Sequence, residues 1–243
     1  MERRRRTAPR RALLLACAAA VPALLLAGCS SGGSGSDSAA GSGAKDTAGG
    51  KGKDTAASAP ATTAAPAPDK FATLPNACLS VGKATVTAIV PKAKVPAGTP
   101  ATSDDAKDRA GCSWTGNGSD GYQYRWLSVT LQRFTSAPAS PAENQAKERF
   151  TDQAADLGTS TGAKASPVTG LGDQAYSFAG KATVAKVTSQ NDTLLVRTGN
   201  ALVIVEYNGA GLEGKKNPSA ATVDAGALRA AKEAVAAVAA ANA

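Results

Sequence analysis

From Ser30 to Pro68 the chain carries no aromatic and no large aliphatic side chain, only Ser, Gly, Ala, Thr, Pro, Lys and Asp. Such a stretch has nothing to bury, so it cannot offset the entropy of ordering and is predicted to be disordered. Any fold must therefore be built from Phe71 onward, a length normal for one domain. Lys45, Lys51 and Lys53 balance Asp37, Asp46 and Asp54, so the linker does not stretch by self-repulsion. Its Gly/Ser part is flexible, and Pro60, Pro66 and Pro68 stiffen the remainder. About 39 residues of this kind have a typical end-to-end span of roughly 35 Å, the reach of a stalk.

What precedes the linker reads as an address. Six Arg (Arg3, Arg4, Arg5, Arg6, Arg10 and Arg11) are followed by an apolar run from Ala12 to Ala27. That run is shorter than the roughly 20 residues a membrane-spanning helix needs, and the order basic, apolar, small describes an export signal. The signal ends in Leu26-Ala27-Gly28-Cys29, which closely resembles the lipobox of bacterial lipoproteins. That resemblance implies cleavage after Gly28 and a diacylglycerol on the Cys29 sulfur. Two or three palmitate-type acyl chains, at about 0.8 kcal/mol per buried CH₂, would hold the chain firmly on the outer face of the plasma membrane. Removing residues 1–28 takes away six Arg and one Glu, lowering the formal net charge from +8 to +3. The basic balance of the whole chain thus belongs mostly to the signal, and a nucleic-acid partner inferred from net charge is excluded.

The remaining composition narrows the chemistry. There is no His, which excludes a Ser-His-Asp or Cys-His nucleophile pair, a His-ligated metal and a histidine proton shuttle. Cys17 leaves with the signal and Cys29 takes the lipid, so Cys78 and Cys112 remain. Two cysteines in an exported domain are most simply a disulfide; two separate thiols or a metal pair are the alternatives, and no His or further Cys completes a tetrahedral site.

The domain reads as follows. Ser80–Val90 is ambiguous between helix and strand, and a polar loop follows from Pro91 to Gly111. A short strand lies at Cys112–Trp114. Tyr124–Phe134 alternates cleanly, with Leu127, Val129 and Leu131 on one face and Trp126, Ser128 and Thr130 on the other. Ser140-Pro141-Ala142-Glu143 has the pattern of a capping box opening a helix to about Leu157, with Ala146, Phe150, Ala154 and Leu157 on one face and Gly158 as its stop. Strands are expected at Gln174–Phe178, Thr183–Thr188, Leu194–Arg197 and Ala201–Tyr207, the last two joined by a Gly199-Asn200 turn. The Ala-rich stretch Thr222–Ala241 is helical, with Leu228, Val235 and Val238 near helical spacing. The expected organisation is a signal at 1–28, lipidated Cys and linker at 29–69, and one domain at 70–243. That domain is of the α+β class, an antiparallel β-sheet packed by two or three helices with one disulfide.

Three elements carry a family resemblance. Pro75-Asn76-Ala77-Cys78-Leu79 resembles the Pro-x-x-Cys-Leu opening of the small actinobacterial lipoproteins grouped as domain of unknown function 3558. Cys112-Ser113-Trp114 is similar to that family's Cys-x-Trp element, and Gly170-Leu171-Gly172-Asp173-Gln174-Ala175 to its Gly-Leu-Gly-Asp-x-Ala turn. The resemblance covers about Pro75 to Val238. It implies a sheet with packed helices, a disulfide from Cys78 to Cys112, and likeness to extracytoplasmic sensor and Mog1/PsbP-like domains. It brings no catalytic residues.

Candidate chemistry is sparse. Asp104, Asp105 and Asp108 lack the spacing of a calcium loop and read as a solvated loop. Gly170-Leu171-Gly172-Asp173 lacks the third Gly of a dinucleotide loop and reads as a turn in which Asp173 bonds nearby backbone N–H groups. Trp114, Tyr122, Tyr124 and Trp126 cluster in sequence beside Asn117, Asp120, Gln123 and Arg125, and could form a sugar or peptide platform; the competing reading packs Trp114 on the disulfide and Trp126 under a helix. The expected function is a non-catalytic, membrane-anchored binding or sensor module of the cell envelope, with no cofactor or metal and an unidentified ligand or protein partner. The alternatives are a wall-acting enzyme pairing Glu143 or Glu148 with Asp173, and a ligand-free scaffold.

Overall fold

Leu127, Val129 and Leu131, the alternating trio of the clearest strand signal, are completely buried on one face of the third strand of a seven-stranded sheet. The computed structural model describes residues 68–243. The expected signal at 1–28, the expected acyl acceptor Cys29 and the expected linker through residue 67 lie outside the described residues. The strands are β1 (Thr99–Pro100), β2 (Arg109–Gly116), β3 (Gln123–Arg133), β4 (Ser166–Pro167), β5 (Gln174–Val184), β6 (Val187–Thr198) and β7 (Ala201–Gly211). They lie in the order β1-β2-β3-β7-β6-β5-β4, and every neighbouring pair is antiparallel. With helices α1 (Lys83–Ile89), α2 (Ala142–Thr161) and α3 (Ala220–Ala240), this is the α+β class expected. Among the described residues no helix is long and apolar enough to cross a membrane.

One face of the sheet is closed by α3 and α1. Helix α3 buries Val223, Ala227, Ala230, Ala231, Ala234 and Val238, a stripe of mostly small side chains that brings it close to β6 and β7. Leu228 and Val235, expected on that face from their spacing, are only partly buried at its margin. A Cβ on Gly226 would sit 2.6 Å from the Tyr207 ring, so this approach requires glycine. The Tyr207 hydroxyl donates to the carbonyl of Ile89 at 2.5 Å, fastening the end of α1 to β7. Ser80–Val90 thus resolves as helix, followed by a loop that passes over Trp114. There Gly98 has φ +82°, and any Cβ would run into Cys112 Sγ and the Trp114 ring. Cys78 and Cys112 are disulfide-bonded, tying the short 3-10 turn Ala77–Leu79 to β2.

The other face is only partly covered. Phe150 and Leu157 of α2 pack on Phe178, Leu195 and Leu202, and Phe150 stacks on Tyr176 with ring centroids 5.4 Å apart. The helix differs from expectation at both ends. Ser140 is occupied in a reciprocal backbone pairing with Ala137, so the capping box does not form; Ser136 Oγ accepts the Ala142 N–H instead, at 2.9 Å. Gly158 lies inside the helix, which continues to Thr161 and stops at Gly162, φ +66°.

The expected strand Thr183–Thr188 is in fact a hairpin tip. Ala185 and Lys186 take φ +49° and +68°, a two-residue turn between β5 and β6 that contains neither Gly nor Asn. Gly199-Asn200 forms the turn expected between β6 and β7. The strand at Cys112–Trp114 extends in both directions to Arg109–Gly116.

The chain reaches the domain at the Gly199-Asn200 end. Asp69 accepts hydrogen bonds from the Ser136 backbone N–H at 3.0 Å and from its hydroxyl at 2.5 Å. Phe71 is held by Asn200, while Ala72 and Thr73 donate to the Asn242 side chain beyond α3.

Candidate functional site

Strand register explains why half of one sheet face is left open. Trp126 stands opposite Asn208, which stands opposite Asn191, which stands opposite Gly180. One row along, Ser128 meets Glu206, and Glu206 meets Thr193. On the other side Tyr124 meets Ala210. Small side chains at Gly180, Ala182 and Ala210 leave a trough between the two aromatic rings of β3 and the hairpin tip. The result is an open groove of about 560 Å³, bounded by Tyr124, Trp126, Leu212, Val184, Val187 and Thr161 at the end of α2. Glu206, Asn208, Thr193, Asn191 and Ser189 supply its polar groups. Among the described residues no Lys or Arg lines it.

The polar groups are unevenly engaged. Ser128 Oγ donates to Glu206 Oε2 at 3.0 Å, and Glu206 forms no ion pair among the described residues. Asn191 and Ser189 bond each other at 2.9 Å. The side chains of Asn208 and Thr193 have no hydrogen-bond partner among the described residues, so their donors and acceptors are available to a ligand. Burial pushes the Tyr124 hydroxyl above its ordinary pKa, so the ring presents a neutral phenol.

Of the four aromatic residues expected to form a platform, the structure brings two together here. Trp114 pairs in register with Leu127, on the opposite face, and is 2% exposed against the disulfide. Tyr122 stands outside the groove, 42% exposed, with Lys215 Nζ 6.0 Å from its ring centroid. Glu206, Asn208 and Thr193 were not singled out in the sequence. Their signal was polar residues placed every second position inside strands otherwise rich in Val, Leu and Ile.

The carboxylates considered for catalysis are engaged elsewhere. Glu143 and Asp173 both face the Arg197 guanidinium, at 3.6 and 3.2 Å. Asp173 also accepts the Gly199 N–H at 2.6 Å, a bond to the β6–β7 turn rather than to the neighbouring backbone expected of it, and Gln174 accepts from Arg197 Nε at 2.8 Å. A Cβ on Gly172 (φ +60°) would lie 2.5 Å from the Arg197 carbonyl oxygen, so this turn packs too tightly for any other residue. Glu148 is exposed on α2, and neither Glu143, Glu148 nor Asp173 lines the groove. Asp108 pairs with Arg133. Among the described residues no group of three or more Asp, Glu, Cys or His is gathered as a metal site.

One acid is perturbed beneath the sheet. Asp192, 2% exposed on the α3 side, has its pKa pushed up to about 6 by burial, with the Asp224 carboxylate adding to the rise and the Ser177 hydroxyl bond opposing it. Burial raises Asp224 as well, and its Oδ1 has no hydrogen-bond partner among the described residues. Below the unfolded value near 3.8 Asp192 is protonated in both states and costs nothing. As pH climbs through the folded value the unfolded chain ionises first, and stability on the order of 2–3 kcal/mol is lost. Asp192→Asn is therefore expected to match the parent in urea unfolding near pH 4 and to exceed it above pH 7. Equal stability at both pH values would show that the carboxyl is not strained.

No family model matches this chain, and no curated protein matches it.

Proposed function

We propose that this is an exported lipoprotein, anchored through Cys29 to the outer face of the plasma membrane, whose domain binds a ligand in the half-open sheet face without transforming it. The observation that carries the reading is the groove itself. Its two ring faces, the Asn208 amide and a carboxylate without an ion pair among the described residues converge on a space of about 560 Å³, within the usual range for small-molecule sites. The Leu26-Ala27-Gly28-Cys29 lipobox and the composition of residues 30–67 support the anchor and stalk, and the motifs around Cys78, Cys112 and Asp173 support kinship with domain of unknown function 3558. A binding role is favoured over a catalytic one because Glu143 and Asp173 are held by Arg197.

Placement supports the same reading. The stalk joins the domain beside Phe134 and Asn200, whereas the groove begins at Trp126, eight residues along β3, about 26 Å farther out. The groove thus lies away from the point where the chain enters the domain.

The test uses the chain from residue 29 with Cys29→Ser, screened by thermal shift and Trp emission against wall fragments, sugars, peptides and lipids. Only two Trp are present, one buried and one in the groove, so a ligand of the groove is expected to shift emission in the parent and not in Trp126→Phe. Stabilising ligands that Trp126→Phe still binds unchanged would place the site elsewhere. In the producing cell, Cys29→Ser is expected to move the chain from the membrane to the soluble fraction; retention in the membrane would refute the lipid anchor.

A further inference from the structure

We propose that the groove selects an aliphatic ammonium, with the charged head between Glu206 and the Trp126 ring and the alkyl stem running toward the hairpin tip; this rests on the groove being the binding surface. The argument begins with charge. Glu206 lies on β7, between β3 and β6, so its carboxylate sits over the middle of the sheet rather than at an edge. Among the described residues only a serine hydroxyl is bonded to it, and none of those lining the groove is Lys or Arg. Phosphate, sulfate and carboxylate ligands would meet this negative charge with no cation to bind them. A neutral sugar would find hydrogen-bond partners but leave the charge unpaired.

Geometry points the same way. Tyr124 and Trp126 are two positions apart on one strand face, roughly 6.6 Å, and Trp126 is diagonal to Glu206 across the β3–β7 pair, about 7–8 Å. A cation interacts with a ring face within about 6 Å of its centre, so one ammonium placed between them reaches both the ring and the carboxylate. Its three N–H groups match three acceptors: the Glu206 carboxylate, the Asn208 amide oxygen and the Thr193 hydroxyl. Beyond this polar end, Ala210, Ala182, Leu212, Val184 and Val187 form an apolar path. An alkyl chain carrying a terminal amine has both parts.

The probe is cadaverine, compared with the uncharged pentane-1,5-diol and with cellobiose, followed through Trp emission of the chain from residue 29 with Cys29→Ser. Cadaverine is expected to give a saturable response that weakens severalfold when salt rises from about 20 to about 300 mM, since the screening length shortens. Glu206→Gln, which can still accept the Ser128 hydroxyl, is expected to weaken cadaverine about tenfold or more, the size of a lost charged hydrogen bond. If Glu206→Gln does not fold, the salt titration and the diol comparison on the parent decide. Should the diol or cellobiose match cadaverine at Trp126, or should salt and Glu206→Gln have no effect, the ammonium assignment falls while the groove stands. Silence at Trp126 from all three probes and from the wider ligand panel removes both.

Discussion

Replacing Cys78 and Cys112 together by Ala is expected to lower the melting temperature by about 8–16 °C. The bridge spans a sequence separation of 34 residues. Chain entropy alone gives such a cross-link about 4 kcal/mol, and in a domain of this size each kcal/mol moves the midpoint by about 2–4 °C. Local packing adds to this. Cys112 is buried against Trp114 and Gly98, so its truncation opens space in the core. Calorimetry of the double variant, and of the parent before and after reduction, reads the effect twice. If reduced and oxidised parent melt within about 2 °C of each other, the cross-link contributes nothing and the chain-entropy argument fails here.

Asn200→Ala is expected to cost a comparable amount, about 3 kcal/mol, with no covalent bond involved. Asn200 is 1% exposed, and its side chain serves three backbone groups from two distant segments. It accepts the Phe71 N–H at 2.9 Å and donates to the carbonyls of Phe71 and Phe134 at 3.0 and 2.8 Å. Alanine leaves all three without a partner, and each buried orphan costs about 1–3 kcal/mol, less where water reaches it. Asn200→Asp keeps the acceptor but turns a negative charge toward two carbonyl oxygens, so it is expected to be no milder. The loss should be local as well as global: trypsin is expected to cut after Lys70 sooner in Asn200→Ala than in the parent. An unchanged unfolding midpoint together with unchanged cleavage would show that Asn200 is dispensable.

What was legible in the sequence was whatever one strand or helix specifies by itself. The alternation of Leu127, Val129 and Leu131 needs no partner to be read, nor does the Phe150–Leu157 stripe of α2, and Gly199-Asn200 announces its own turn. The Ala185-Lys186 tip was hidden because neither residue is a usual host for positive φ; the long β5–β6 hairpin imposes that conformation on both. At the end of α2 two glycines compete as stops, and it is Gly162, not Gly158, that takes the left-handed conformation ending the helix. Its start was misread because Ser136, six residues before Ala142, supplies the cap from across a loop.

The site was half legible for a related reason. Trp114 and Trp126 look equivalent in a list of aromatic residues, but the pairing of Trp114 with Leu127 sends them to opposite faces. Register between strands decides that, and no single strand encodes it. Likewise Glu206 and Asn208 become neighbours of Trp126 only once β7 lies beside β3, after some eighty intervening residues have folded.

The way residues 69–79 are fastened has a mechanical consequence. Tension applied to the chain before Asp69 would meet, in turn, Asp69 on Ser136, Phe71 on Asn200 with its ring in the core, and Ala72 and Thr73 on Asn242, contacts that can open one after another. No strand ladder resists until the pull reaches Cys78, where a covalent bond passes the force into β2 and so into the whole sheet. Under tension the domain can thus lengthen by a few residues at this end and then stop, with the groove at its far end undisturbed.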